Sequence, residues 1–159
     1  MKKILIALDY DPSAQSIAEV GYSLARTMDA EVILLHVISD SVIYTSPGHV
    51  TIVGFAGCME AGTTALQEDC KDELKKAANQ FLDKSKQHLC DEAIKTIVKD
   101  GDCAETILKT AAEVQADIIV LGSHSKKILE KTIAGSIIEA VLRHSSIPLF
   151  IIPLKKTIK

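Results

Sequence analysis

No window of the 159-residue sequence approaches the ~20 consecutive apolar residues that a membrane-spanning helix needs. The N-terminus, MKKILIALDYDPSAQ, places two lysines before a short apolar run that Asp9 breaks, with no small-residue cleavage site behind it, so a signal peptide is not expected. The four cysteines, Cys58, Cys70, Cys90 and Cys103, form no CxxC pair, which fits a reduced, cytoplasmic protein. Charge is equally uninformative about partners. A formal net charge of −3 with 25% charged and 47% hydrophobic residues is that of an ordinary globular protein. It excludes the basic bias of a nucleic-acid binder and the polar composition of a disordered chain. Neither a nucleic-acid partner nor a membrane is expected.

The common phosphate signatures are missing too. There is no GxxxxGK[ST], no GxGxxG after the first apolar run, and no G-x-S-x-G elbow around Ser123. A P-loop protein and a standard dinucleotide-binding protein are thereby set aside, and no serine or cysteine stands in a recognisable nucleophile–base arrangement.

What is present is an alternation of short apolar runs with helical periodicity, in a chain of a length that suits one domain over residues 1–159. Lys3–Leu8 reads as a buried strand. A helix follows it, with Asp11 as cap, Pro12 in the first turn, and an apolar stripe through Ile17, Val20, Gly21, Leu24, Ala25 and Met28. Val32–Ile38 is apolar on both faces, as a parallel strand between two helix layers is. His36 interrupts that run and is read as a buried histidine with a satisfied hydrogen bond in preference to a ligand. From about residue 39 to 67 the pattern dissolves into glycines and scattered apolar residues, the composition of a long flexible loop, either a lid or a mobile excursion.

Helical periodicity resumes over Glu68–Leu89 through Leu74, Ala78, Phe81 and Leu82. A third strand is expected at Ala93–Val98, then a helix with Asp102 as cap and Glu105 three residues on. Asp117–Leu121 is the fourth strand, Ser136–His144 a short helix, and Ile147–Pro153 a fifth strand. Pro148 and Pro153 would be awkward anywhere but at a sheet edge. Such an alternation predicts an α/β fold: a parallel sheet with helices on both faces, joined by right-handed crossovers. Ligands of such sheets bind beyond the carboxyl ends of the strands, where the strand order reverses. The residues to inspect are therefore Asp9, Val37, Gly122 and those that follow them.

In "GSHSKKILEKTIAGS", Gly122 ends the fourth strand, Ser125 lies three residues on, and Gly135 and Ser136 open the next helix. Two readings stand side by side. Backbone amides at a helix start beside glycines favour an anion. The same glycines also suit plain turns, and Ser136 with Glu139 forms a capping box of its own. Asp9 is either a partner for sugar hydroxyls, or a solvated strand-end carboxylate or a cap shared with Asp11. Lys126, Lys127 and Lys131 are either phosphate contacts or solvated loop charges. His88 and Cys90 lie two apart without a second pair at zinc spacing, so no metal site is assigned.

The stretches KILIALDYDPSA, GDCAETIL, DIIVLGSHS and AGSIIEAVLRHSSIPLFII resemble the universal stress protein (UspA-like) family over nearly the whole chain. The resemblance implies a single-domain five-stranded parallel sheet, Rossmann-like and adenine nucleotide alpha hydrolase-like. The nucleotide-binding branch of that family carries G-x2-G-x9-G-[ST]. Gly122, Gly135 and Ser136 match it at that spacing, with Ser125 where the second glycine belongs. Asp9 thereby resembles a ribose and adenine contact, and Ala7, Leu8 and Val37 the wall of an adenine pocket. Leu121, Gly122, Ser125, Gly135, Ser136 and Ile137 resemble the ribose–phosphate contacts.

The function implied is that of a dimeric, cytoplasmic stress-response switch holding ATP or AMP, with or without magnesium, and pairing through Leu149, Phe150 and Ile151 of the last strand. At most slow ATP hydrolysis is implied, with Ser136, His124 or a lysine at the γ-phosphate and Asp9 or Glu130 as the nearest carboxylates for a metal ion. No catalytic residue is assigned. Ser125 leaves a second function open: a stress protein without nucleotide that acts through protein partners or heterodimers.

Overall fold

The computed structural model describes residues 1–9, 13–39, 64–123 and 137–153, with the side chains of residues 39 and 64–71 left aside. Within these residues the elements run β1 (Lys3–Ala7), α1 (Ala14–Thr27), β2 (Glu31–Ser39), α2 (Thr64–Leu89) and β3 (Lys95–Gly101). They continue α3 (Cys103–Val114), β4 (Ile118–Ser123), α4 (Ile137–His144) and β5 (Leu149–Pro153). All five strands are parallel, in the order β3-β2-β1-β4-β5. The chain lays down its first three strands outward in one direction from β1. It then crosses back to place β4 and β5 on the other side, so β1 and β4 flank the reversal.

Side chains along a strand alternate between faces, and the sheet uses that alternation to serve two cores. Ile4 and Ile6 of β1 join Val32, Leu34 and Val120 beneath α1 and α2, with Ile17, Ala18, Ala25 and Leu82 from the helices. Leu5 joins Ile33, Leu35, Ile119 and Leu121 beneath α3 and α4, with Ile107, Ala111 and Val141. Ile4, Leu5 and Ile6 have no exposed surface at all, and each such side chain taken from water contributes about 1.5–3 kcal/mol. Only a strand covered on both faces can carry so continuous an apolar run.

α1 lies very close to the sheet because Gly21 has no side chain. A Cβ at that position would meet Ile6 Cδ1 at 2.6 Å and Val120 Cγ1 at 3.4 Å. The expected stripe of this helix is otherwise correct except at Val20, which is 41% exposed. Ile17, Gly21 and Ala25 point at the sheet with Ala14 and Ala18, and at 3.6 residues per turn position 20 falls outside the arc they share. Asp11 and Pro12 lie outside the described residues; Ser13 occupies the N-cap position of α1.

The remaining boundaries differ where polar residues continue an element. α2 begins at Thr64, inside the region expected to be loop. β3 runs from Lys95 to Gly101 in place of Ala93–Val98. As an edge strand it tolerates Lys99 and Asp100, whereas Ala93 is taken up in a turn where its amide bonds Asp91 Oδ1 at 2.9 Å. Asp102 caps α3 as expected, accepting from the Glu105 amide at 3.0 Å. Gly101 before it has φ 135°, a conformation open to glycine and strained for other residues. β5 forms the opposite edge, where the proline at its end removes no ladder bond from a central strand.

Replacing Gly21 by valine crowds Ile6 Cδ1 and Val120 Cγ1, so that either α1 lifts from the sheet or the buried Ile6 side chain is driven from its rotamer. A loss of about 1–3 kcal/mol of unfolding free energy is expected, read from urea denaturation midpoints at unchanged slope.

Candidate functional site

Strand order reverses between β1 and β4, and the crevice in which such sheets bind ligands lies beyond the carboxyl ends of the strands at that point. Register pairs between these strands run from Ile4–Ile118 to Ile6–Val120. β4 continues beside β5 as far as Ser123–Pro153, and β1 stays beside β2 through Ala7–Leu35. Each strand thus keeps its outer neighbour for longer than the two keep each other. Ala7, Leu8 and Asp9 stand on one side of the gap, with Leu121, Gly122 and Ser123 on the other.

The candidate residues divide by face. Ala7, Val37 and Leu121 all belong to the cluster under α3 and α4, where Cys103 at the start of α3 and Ile138 of α4 also pack. Ala7 and Val37 are half-buried at the strand ends, whereas Leu121 is 4% exposed and packs within the cluster beside them. Leu8 faces the other way: its side chain is 3% exposed and packs in the cluster under α1 and α2. Leu8 therefore borders the crevice with its main chain, not its side chain. Ile137 is the first residue of α4 and is exposed. Ser125, Gly135 and Ser136 lie outside the described residues, as do His124, Lys126, Lys127, Glu130, Lys131 and residues 40–63.

Among the described residues, Asp9 is the carboxylate that follows β1 at the gap. It is half-buried, and its Oδ1 is shielded from solvent. Behind it, His36 of β2 is 4% exposed. Its Nδ1 lies 2.8 Å from the Leu8 carbonyl oxygen. A carbonyl can only accept, so Nδ1 carries the proton and donates. The edge of the ring is met by Phe81 of α2, centroids 5.7 Å apart and planes at 72°. Burial pushes the imidazole below its ordinary value of 6.5, while the Leu8 carbonyl and the negative charge of Asp9 pull the other way. A buried histidine with a satisfied hydrogen bond is what the sequence pattern predicted. Its attachment to the residue preceding Asp9 is what the pattern did not contain, beyond the single polar residue in VILLHVI.

Among the described residues, His88 and Cys90 serve local contacts. His88 Nε2 lies 2.6 Å from Glu19 Oε1 and 2.7 Å from Gln15 Nε2, tying the end of α2 to α1. Among the described residues no group of three histidine, cysteine or carboxylate side chains could hold a metal ion. No helix among them is long and apolar enough to cross a membrane. On β5, Phe150 and Ile151 are 37% and 38% exposed although both are large and apolar.

Residues 1–153 match the family model described as universal stress protein family. The chain belongs to that family. Universal stress protein MJ0577 of Methanocaldococcus jannaschii is 31% identical over 159 residues, covering 98% of this chain and 97% of its own. A solved structure of MJ0577 superposes with a TM-score of 0.73 at 27% identity, covering 98% of each chain. Two more distant members share the fold. A universal stress protein solved in complex with cAMP gives a TM-score of 0.55 at 15% identity, covering 96% of each chain. One from Arabidopsis thaliana, solved with AMP bound, gives 0.58 at 20% identity, covering 98% of this chain and 93% of its own.

The depressed imidazole makes stability depend on pH with a definite sign. His36 is neutral in the folded protein and titrates near 6.5 when unfolded, so its contribution is complete above that pH. It is lost as the pH falls below 6.5 and through the lowered folded value. Denaturant midpoints are expected to fall between about pH 7 and about pH 5. The fall should be smaller in His36→Asn, which has nothing to titrate in that window. Equal slopes in the two proteins would remove His36 as the cause.

Proposed function

We propose that this protein binds an adenine nucleotide, ATP or AMP, in the crevice between β1 and β4, as a dimeric stress-response switch. The observation that carries the reading is the parting of β1 and β4 at the point where strand order reverses. Half-buried Ala7 and Val37, backed by the enclosed Leu121, and the carboxylate of Asp9 border that gap. A flat, weakly polar base suits these apolar side chains, and vicinal ribose hydroxyls suit a carboxylate acceptor. The segment leaving Gly122 carries Ser125, Gly135 and Ser136 at the family's phosphate-binding spacing and ends where α4 begins, so the amides of Ser136 and Ile137 would meet the phosphates at a helix start. That two members of the family hold AMP and cAMP supports the same class of ligand. Magnesium, where bound, would screen the phosphate charge. No residue of this chain is assigned to hydrolysis.

The dimer is assigned to β5. Among the described residues β5 is an edge strand, and with Phe150 and Ile151 exposed and Leu149 at its root it has a main-chain edge and apolar surface to offer a second copy. Ser125 favours a second reading, in which the fold is kept but the nucleotide is not, and the protein acts through protein partners. If the glycine it replaces has positive φ in relatives, serine there costs about 1 kcal/mol in backbone preference.

Millimolar MgATP or AMP should raise the thermal unfolding midpoint, since a ligand at ~100 times its Kd adds about 2.7 kcal/mol to the folded state. Asp9→Ala and Gly122→Val should each remove most of that rise without lowering the ligand-free midpoint comparably. No rise in the wild type would leave the protein-partner reading in its place. Independently, Ile151→Lys should shift the protein from dimer to monomer in sedimentation velocity; a dimer that tolerates this charge does not use β5.

A further inference from the structure

The hydrogen bond between His36 and Leu8 stands at a particular place in the sheet. Register pairing of β1 with β2 ends at Ala7–Leu35, and the Leu8 amide adds one more main-chain bond, to the Leu35 carbonyl at 2.8 Å. There the strand stops, and the Leu8 carbonyl is gripped by a side chain, the imidazole of His36. Leu8 C=O and Asp9 N–H belong to one peptide plane, and in a trans peptide they point in opposite directions. A carbonyl drawn toward β2 therefore turns the Asp9 amide away from β2, to the side on which β4 lies. The same plane sets the direction in which Asp9 leaves the strand. The ring that does the gripping is itself held, by burial and by the edge contact of Phe81 from α2.

We infer that His36 is a positioning residue for the nucleotide site: by fixing the Leu8–Asp9 peptide it orients Asp9 toward the crevice. It does not itself touch the ligand, since its side chain lies in the buried layer under α1 and α2, the face opposite Ala7, Val37 and Leu121. The inference rests on the adenine-nucleotide reading and adds to it the element that sets the carboxylate's direction. A core role alone would ask only that the imidazole fill its space; a positioning role asks that a donor stand where Nδ1 stands.

Two variants separate these roles. In His36→Leu the volume is kept and the donor is lost, leaving the Leu8 carbonyl without the imidazole. In His36→Asn the side-chain amide nitrogen can stand close to the place of Nδ1 and restore a donor, although the ring's packing is gone. AMP binding by titration calorimetry near pH 7.5, with circular dichroism to confirm folding, gives the primary reading. His36→Leu should weaken AMP about tenfold, the scale set by leaving a buried carbonyl unsatisfied, while His36→Asn stays within about threefold of wild type.

The ¹H–¹⁵N resonance of Asp9 in the ligand-free protein should move in the leucine variant and return toward its original position in the asparagine variant. Leucine and wild type binding AMP equally would overturn the positioning role and leave the nucleotide reading intact. Asparagine failing as badly as leucine, both folded, would also overturn it, because ring packing would then be what matters. A wild type that binds neither AMP nor MgATP removes both inferences together.

Discussion

Ile4, Leu5 and Ile6 are wholly enclosed, and this enclosure of β1 from both faces is the constraint around which the molecule is arranged. A strand that must be covered above and below needs helices on both sides, and parallel neighbours need helix-length crossovers to reach them. Once β1 is central, β2 and β3 extend one side and β4 and β5 the other. The two halves of the chain then meet at β1 and β4 with their carboxyl ends at the same edge. The crevice is thus a by-product of burying one apolar run, and the residues just beyond that run inherit a place beside it.

The alternation of faces accounts for the division of labour among those residues. Ala7, Val37 and Leu121 continue the alternation of the layer under α3 and α4, with Ala7 and Val37 half-buried at its rim. Leu8 and His36 belong to the opposite layer, and they meet one another through a carbonyl and an imidazole. What borders the gap from that second layer is therefore main chain. Its geometry is governed from below by a histidine and a phenylalanine that arrive from two different elements, β2 and α2.

Much of this could be read from the chain alone, for physical reasons that also mark where such reading stops. The buried strands β1, β2 and β4 announce themselves as Ile- and Leu-rich runs because both faces are covered. α3 announces itself through Asp102, whose carboxylate does accept from the Glu105 amide. Edge strand β3 was displaced by three residues at its far end because its pairing with β2 continues through Lys99 and Asp100, whose composition says nothing of a strand. Val20 looked like part of a stripe because spacing by three is helical; the arc it falls on is decided by which neighbours face the sheet. The strand-end positions of Asp9 and Gly122 followed from the alternation of elements and from family likeness. Leu8 was grouped with Ala7 as pocket wall, although the pleat sends neighbouring side chains to opposite faces and Leu8 turns into the other layer; the link from His36 to the Leu8 carbonyl joins residues 28 apart in the chain, which no local pattern encodes.

The contact of Gly21 with Ile6 and Val120 carries a consequence for how this chain can diverge. Helix and sheet there lie so close that a methyl group gained on α1 is best accommodated by a smaller side chain on β1 or β4. Descendants that acquire alanine at position 21 should carry a shorter side chain at position 6 or 120. Those that keep the bulk at both should remain tied to glycine, making the three sites vary as a unit although they are scattered across nearly the whole polypeptide.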